Sequence, residues 1–112
     1  MEALPNPEQR KNQLREYFNV AEGVQQKFIV AEDKETNEKY IYTSRDDLHM
    51  HLVNKLLEKG EKFFAHGGGS VVFDDGIYYF SGKSAQLGEF KKEDIESIRE
   101  KLFTEKTFEF KE

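Results

Sequence analysis

The tightest constraint on the fold is a turn in the C-terminal half of the chain. Asp74-Asp75-Gly76 separates two β-rich runs, residues 70–73 and 77–80. Asp-Gly supplies the backbone conformations that a two-residue hairpin turn needs, so these runs are predicted to pair antiparallel. Four other runs have a similar β-rich composition and each predicts a further strand: residues 27–30, 40–43, 62–66 and 107–110.

Residues 45–59 show the clearest helical pattern. Their apolar side chains recur at helical spacing at Leu48, Leu52, Val53 and Leu56. Ser44 is the predicted N-cap, and Asp46 and Asp47 suit the first turn of a helix. Gly60 suits its end.

A second helix is predicted over about residues 92–103. Ile95, Ile98 and Leu102 lie on one face of it, which would pack against the sheet.

The N-terminal residues 1–22 are predicted to form an arm that is helical in part, outside a domain spanning residues 23–112. Asn6 can cap a helix, Pro7 suits the first helical position and Gln9 has capping-box spacing. The apolar stripe that follows, formed by Leu14, Tyr17 and Phe18, is too narrow to predict where the arm docks.

The order of these segments predicts an α+β fold. We expect a single mixed, mostly antiparallel sheet of about six strands with two packed helices, plus the N-terminal helical arm. The chain has 112 residues, which suits one domain with a core of its own.

Composition narrows the class of function. The net charge of -5 argues against a broad nucleic-acid surface. The chain has no cysteine, so thiolate chemistry and disulfides are excluded. No apolar run approaches the length of a membrane span. We therefore expect a cytoplasmic protein, with a monomer favoured.

His49 is the histidine that the helical wheel directs inward. Counted from Leu48 at about 100° per residue, His49 falls in the middle of the apolar face and His51 on the water side. A buried histidine is usually a hydrogen-bonded core residue. At a helix start, however, unpaired N–H groups and the helix dipole favour anions, so His49 is also placed to act on a bound phosphate.

No metal and no cofactor are predicted. His49 and His51 would share a face on a strand but not on a helix, which counts against a zinc site.

Two other segments suit close backbone approach to an anion. Gly67-Gly68-Gly69 follows a β-rich run and permits a sharp turn, a bulge or close ligand contact. The small-residue loop Gly82-Lys83-Ser84-Ala85 offers a hydroxyl and an ammonium group. Each is also an ordinary feature of surface loops.

From Lys27 to Phe110 the sequence resembles the phosphohistidine phosphatase (janus/ocnus) family. A lysine opens the first strand, here Lys27, and a helix begins with Asp47-Leu48-His49. Gly67 to Gly69 and then Gly82-Lys83-Ser84 follow in the family's order.

The resemblance implies a metal-independent enzyme that hydrolyses phosphohistidine in proteins, with His49 as base or nucleophile. The phosphate-binding residues are then predicted to be Lys27, Met50, Lys83, Ser84, Ala85 and Gln86. The loop predicted to shape the site is Gly67, Gly68, Gly69 and Ser70.

The chain departs from the family pattern at two positions. Ser70 stands where the family commonly has arginine, a bidentate phosphate ligand, and His51 stands where it has an acidic residue. Two alternatives therefore stay open. One is a module that binds phosphate or a phosphorylated protein without turnover, and the other is an interaction domain that uses the aromatic residues near Tyr17.

Overall fold

A computed structural model describes residues 6–45 and 48–111 of the chain. Within these ranges the structure has three helices and five strands. In chain order they are α1 (Pro7–Glu16), β1 (Gln26–Asp33), β2 (Lys39–Ser44), α2 (His49–Glu58), β3 (Phe63–Asp74), β4 (Ile77–Ser81), α3 (Lys92–Leu102) and β5 (Thr107–Phe110). The predicted α+β class is confirmed. No described helix is long and apolar enough to cross a membrane.

The strands form one open mixed sheet in the order β2-β1-β3-β4-β5. Three neighbouring pairs are antiparallel and only β4 and β5 run parallel. The parallel pair follows from α3, which carries the chain back across the sheet before β5 begins. The hairpin predicted at Asp74-Asp75-Gly76 is present, with positive φ angles at Asp75 and Gly76.

The sheet has five strands rather than about six because the glycine run does not interrupt it. The two predicted strands at 62–66 and 70–73 are one strand, β3, which passes through Gly67, Gly68 and Gly69. Of the possibilities open for the three glycines, the sharp turn is wrong, and the predicted loop of Gly67, Gly68, Gly69 and Ser70 is part of β3. They adjoin a bulge instead: between the pairs Ile29–Gly68 and Ala31–Ala65 the strand β3 contains one extra residue.

The helix that carries His49 starts later than predicted. Ser44 is the last residue of β2, so it is not the N-cap. The N-cap is Leu48, whose side chain makes no capping hydrogen bond. Asp46 and Asp47, predicted in the first turn, lie outside the described residues. The second predicted helix agrees with α3 to within one residue.

Helices α2 and α3 pack on opposite faces of the sheet. A side chain at Gly68 would meet the His49 ring, whereas one at Gly69 would meet the Phe90 ring, and successive strand residues point to opposite faces. The ion pair between Lys39 and Asp94 places α3 on the side away from His49. The core on the α3 face is rich in aromatic rings, with Phe80 in contact with Phe18, Phe28 and Phe108.

The N-terminal segment is helical, as predicted, and it contributes to this core. The side chain of Asn6 caps α1 by accepting a hydrogen bond from the Gln9 backbone. Leu14 and Phe18 are buried with the residues of the sheet and α3. The narrow apolar stripe is therefore enough to dock α1 on the domain.

Arg10 fixes α1 through a buried ionic cluster. Its guanidinium donates to both carboxylate oxygens of Glu61, at 2.9 and 2.7 Å, and to Asp33 at 2.6 Å. Tyr17 donates to Glu61 at 2.8 Å. Burial alone would raise the pKa of Glu61, but the hydrogen bonds from Arg10 and Tyr17 outweigh it, so the pKa lies below its ordinary value.

Candidate functional site

His49 lies at the first position of α2, with its ring directed at the sheet. The residue is 4% exposed, while His51 is exposed, as the helical wheel predicts. The Nε2 atom of His49 is 2.9 Å from the carbonyl oxygen of Gly69. A carbonyl can only accept, so Nε2 carries the proton of the neutral ring and Nδ1 holds the lone pair. No group in the described part of the chain donates a hydrogen bond to Nδ1.

The environment of His49 keeps its ring neutral. Burial lowers the pKa of His49 below its ordinary value of 6.5, the hydrogen bond to Gly69 opposes this, and the Lys27 ammonium lowers the pKa further. The ring is therefore uncharged at neutral pH, with Nδ1 able to accept a proton or to attack an electrophile.

The glycine run, Gly67 to Gly69, lets His49, Glu89 and Ser81 approach the backbone of β3 closely. A Cβ atom at Gly68 would lie 3.0 Å from Cδ2 of His49, and one at Gly67 would lie 2.2 Å from the backbone oxygen of Glu89. A Cβ at Gly69 would lie 2.4 Å from the backbone oxygen of Ser81. Any side chain here would force these segments apart, so the glycines are needed for close packing.

The loop after β4 contacts the same glycines. Gly68 donates its N–H to the carbonyl of Gly88 at 3.2 Å. Ser84 is buried, and its hydroxyl accepts the N–H of Leu87 at 3.0 Å. Its own N–H donates to Gly88. Ser84 therefore stabilises the loop, and its backbone N–H is already in use.

The other residues predicted from this loop lie at the surface. Lys83, Ala85 and Gln86 are exposed, so their side chains are open to a ligand or to solvent. The structure thus brings the loop to the glycine run through Gly88 and Glu89, which sequence reasoning did not single out.

Lys27 is half-buried on β1. It pairs in register with Ser44 on one side and with Ser70 on the other. In the described part of the chain its ammonium forms no ion pair with a carboxylate. Its partner Ser70 lies two residues along β3 from Gly68, which faces the His49 ring, and the Lys27 ammonium lowers the pKa of His49.

Among the residues that the structure describes, no side chain caps the first N–H groups of α2. Met50, the second residue of the helix, has a side chain 39% exposed, and Leu48 before it is 46% exposed. Unpaired N–H groups at a helix start are satisfied by water or by an anion. Met50 is placed to offer such an N–H beside His49.

Two hydroxyl residues were missed as site residues by sequence reasoning. Ser44 and Ser81 each end a strand, and the register sets them in line with Lys27 and Ser70. Only the pairing of the strands reveals this, because Ser44, Ser70 and Ser81 share no motif in the sequence.

Among residues 6–45 and 48–111 there is no cluster of three side chains suited to hold a metal ion. His66 lies apart from His49 and pairs with Glu32 at 2.8 Å.

No family model matches the chain, and no curated protein matches it.

Proposed function

We propose that this protein is a metal-independent phosphatase that hydrolyses phosphohistidine, a phosphoramidate, in proteins. The observation that carries the proposal is the hydrogen bond from Nε2 of His49 to Gly69. It fixes the ring orientation and assigns the lone pair to Nδ1, the atom that would act as base or nucleophile.

Positive groups near His49 support binding of a phosphoryl group. Lys27 is close enough to affect the histidine, and the uncapped start of α2 offers N–H groups around Met50. Lys83 is an exposed cation on the loop that contacts the glycine run. Phosphoryl transfer depends mainly on positioning and on neutralising charge, and these groups supply both.

The neutral ring suits either of two routes. As base, Nδ1 takes a proton from water, the hydroxide attacks phosphorus, and the P–N bond breaks as the leaving nitrogen receives the proton held by Nδ1. As nucleophile, Nδ1 itself attacks phosphorus, and the P–N bond breaks as the leaving nitrogen takes a proton from solvent. Water then hydrolyses the phosphorylated His49, which releases phosphate and restores the neutral ring. Neither route requires a metal ion or a cofactor.

A module that binds phosphate or a phosphorylated protein without turnover is the alternative. One observation favours it: His49 is only 4% exposed, which restricts how closely its ring can approach a substrate. In both proposals the protein is a cytoplasmic monomer and its partner is a phosphorylated protein or a small phosphoramidate, with no part for nucleic acid or membrane.

Turnover of phosphoramidate separates the two proposals. We expect the protein to release phosphate from phosphoramidate and from a phosphohistidine peptide. His49→Ala should abolish this release, whereas His51→Ala, on the exposed side of the same helix, should retain most of it. Circular dichroism and thermal unfolding would verify that both variants fold. Binding of phosphate without any turnover by the native protein would instead support the binding module, and equal losses in both variants would remove His49 from the proposed mechanism.

A further inference from the structure

Four polar residues form a row across the sheet where α2 begins. Lys27 of β1 is the direct register partner of Ser44 of β2 and of Ser70 of β3. Ser70 is in turn the direct partner of Ser81 of β4. Side chains of direct partners share a face, with Cβ atoms roughly 4.5–5.5 Å apart, so all four side chains project from the same side.

This polar row lies on the face that carries His49. A side chain at Gly68 would meet the His49 ring, and Ser70 is two residues further along the same strand, so it points to the same face. The polar row and the histidine ring are therefore neighbours on this face, because the only row between Gly68 and Ser70, the pair Phe28–Gly69, has its side chains on the other face.

Three members of the polar row have unused donors. Ser44 accepts a hydrogen bond from Lys55 at 3.1 Å. Within residues 6–45 and 48–111, no side-chain hydrogen bond or ion pair involves Lys27, Ser70 or Ser81, and all three are half-buried. A partly desolvated ammonium without a carboxylate, flanked by free hydroxyls, is a set of donors that an anion would satisfy.

His49 offers an accessible hydrogen-bond acceptor at the same place. The residue is only 4% exposed, yet no group in the described part of the chain donates a hydrogen bond to its Nδ1 atom. No side-chain nitrogen or oxygen among the described residues is both fully buried and without a partner, so Nδ1 must reach solvent, from which a ligand on the same face can donate to it.

We infer that Ser70 and Ser81 are phosphate ligands, whose hydroxyls donate to the phosphoryl oxygens of the anion attracted by Lys27. The inference rests on the proposed function in placing a phosphoryl group beside His49. It adds Ser81, which no sequence motif indicates, and gives Ser70 a direct contact with the ligand rather than a part in shaping a loop.

Titration with inorganic phosphate, followed by NMR, tests the inference. We expect shifts at Lys27, His49, Ser70 and Ser81 in the native protein. Ser70→Ala and Ser81→Ala should each weaken phosphate binding by about tenfold or more, the effect of losing a hydrogen bond to a charged group. Ser81→Thr keeps the hydroxyl on a strand position and should restore binding. Ser97→Ala, on α3 at the opposite face, should leave the dissociation constant unchanged.

The results distinguish this inference from the proposed function. Phosphate bound equally well by the native protein and by the Ser70→Ala/Ser81→Ala double variant would overturn the serine ligands, even if phosphoramidate is hydrolysed. If the double variant binds phosphate more weakly than the native protein, and the native protein shows no turnover, the serine ligands are supported and the phosphatase proposal is contradicted. A native protein that gives no shifts at millimolar phosphate would overturn the inference outright.

Discussion

His49 differs from the other two histidines in the state that its surroundings impose. Its ring is buried and donates to Gly69, whereas His51 is exposed and His66 pairs with Glu32. The hydrogen bond selects one tautomer, so the nitrogen available for chemistry is Nδ1.

The lowered pKa of His49 predicts the pH dependence of turnover. The reactive form is the neutral ring, and burial, with help from Lys27, holds the pKa below 6.5. Activity should therefore be constant near neutral pH and fall only as the pH drops below 6.5. Lys27→Met removes a neighbouring positive charge, so it should move this acid limb toward higher pH. Rates measured from pH 4.5 to 8, together with NMR titration of the ring, would check both; an acid limb above pH 7 would contradict them.

Chelation tests the prediction that no metal takes part. We expect activity to survive incubation with EDTA followed by gel filtration, because the proposed chemistry uses only the ring, ammonium and hydroxyl groups of the chain. Loss of activity with EDTA and its recovery with zinc would show that the histidines must be reconsidered as ligands. The same treatment of the His51→Ala variant would show whether that residue is one of them.

Sequence reasoning located His49 and Lys27 but could not find the polar row. The inward orientation of His49 follows from helical spacing alone, and the side chain is buried as the helical wheel predicts. The alignment of Ser70 with Ser81 depends on strand register, which is set by pairing between segments distant in sequence. The small-residue loop predicts Ser84 as a ligand because such loops suit anions, yet its hydroxyl accepts a hydrogen bond within its own loop.

At the level of elements, the glycine run decides both the strand count and the site. The sequence predicts a break after the strand at residues 62–66 because glycine favours turns. The glycine run stays within one strand instead, because it pairs with β1 and is contacted by residues 88–90. Helix α3 was predicted closely because its apolar spacing is local, while the start of α2 was misplaced because β2 extends to Ser44.

Alanine at Gly67 should be more destabilising than alanine at Gly60. Both glycines have positive φ, +90° and +85°, so each substitution incurs the left-handed penalty of roughly 1–2 kcal/mol. At Gly60 the new Cβ meets nothing within 4 Å, whereas at Gly67 it would lie 2.2 Å from the Glu89 oxygen. We expect an added cost of about 1–3 kcal/mol from this overlap. Urea unfolding of the two variants would measure it, and equal stabilities would refute the crowding at Gly67.

Across the whole molecule, the N-terminal segment is held by charge as well as by apolar packing. The Arg10 guanidinium joins α1 to Asp33 at the end of β1 and to Glu61 before β3. The side chains of Arg10, Asp33 and Glu61 are 16%, 11% and 8% exposed. Removing one member of such a group leaves the others desolvated without a partner.

Arg10→Met should therefore be strongly destabilising, by about 3–5 kcal/mol. Glu105→Ala is the matched control, since it breaks the ion pair with Arg15 at a side chain that is 50% exposed. Exposed pairs contribute about 0–1 kcal/mol, so this variant should unfold close to the native protein. Denaturant melts would compare the two. A small effect of Arg10→Met would mean that Leu14 and Phe18 alone hold α1 in place.

The attachment of α1 also protects an edge of the sheet from pairing with other chains. Strand β2 is at the edge of the sheet, and Thr43 donates its backbone N–H outward to the carbonyl of Tyr17. An uncovered edge strand is a template for pairing with further chains. The segment after α1 thus shields the rim of the sheet, and weakening the Arg10 cluster would convert a loss of stability into a tendency to aggregate.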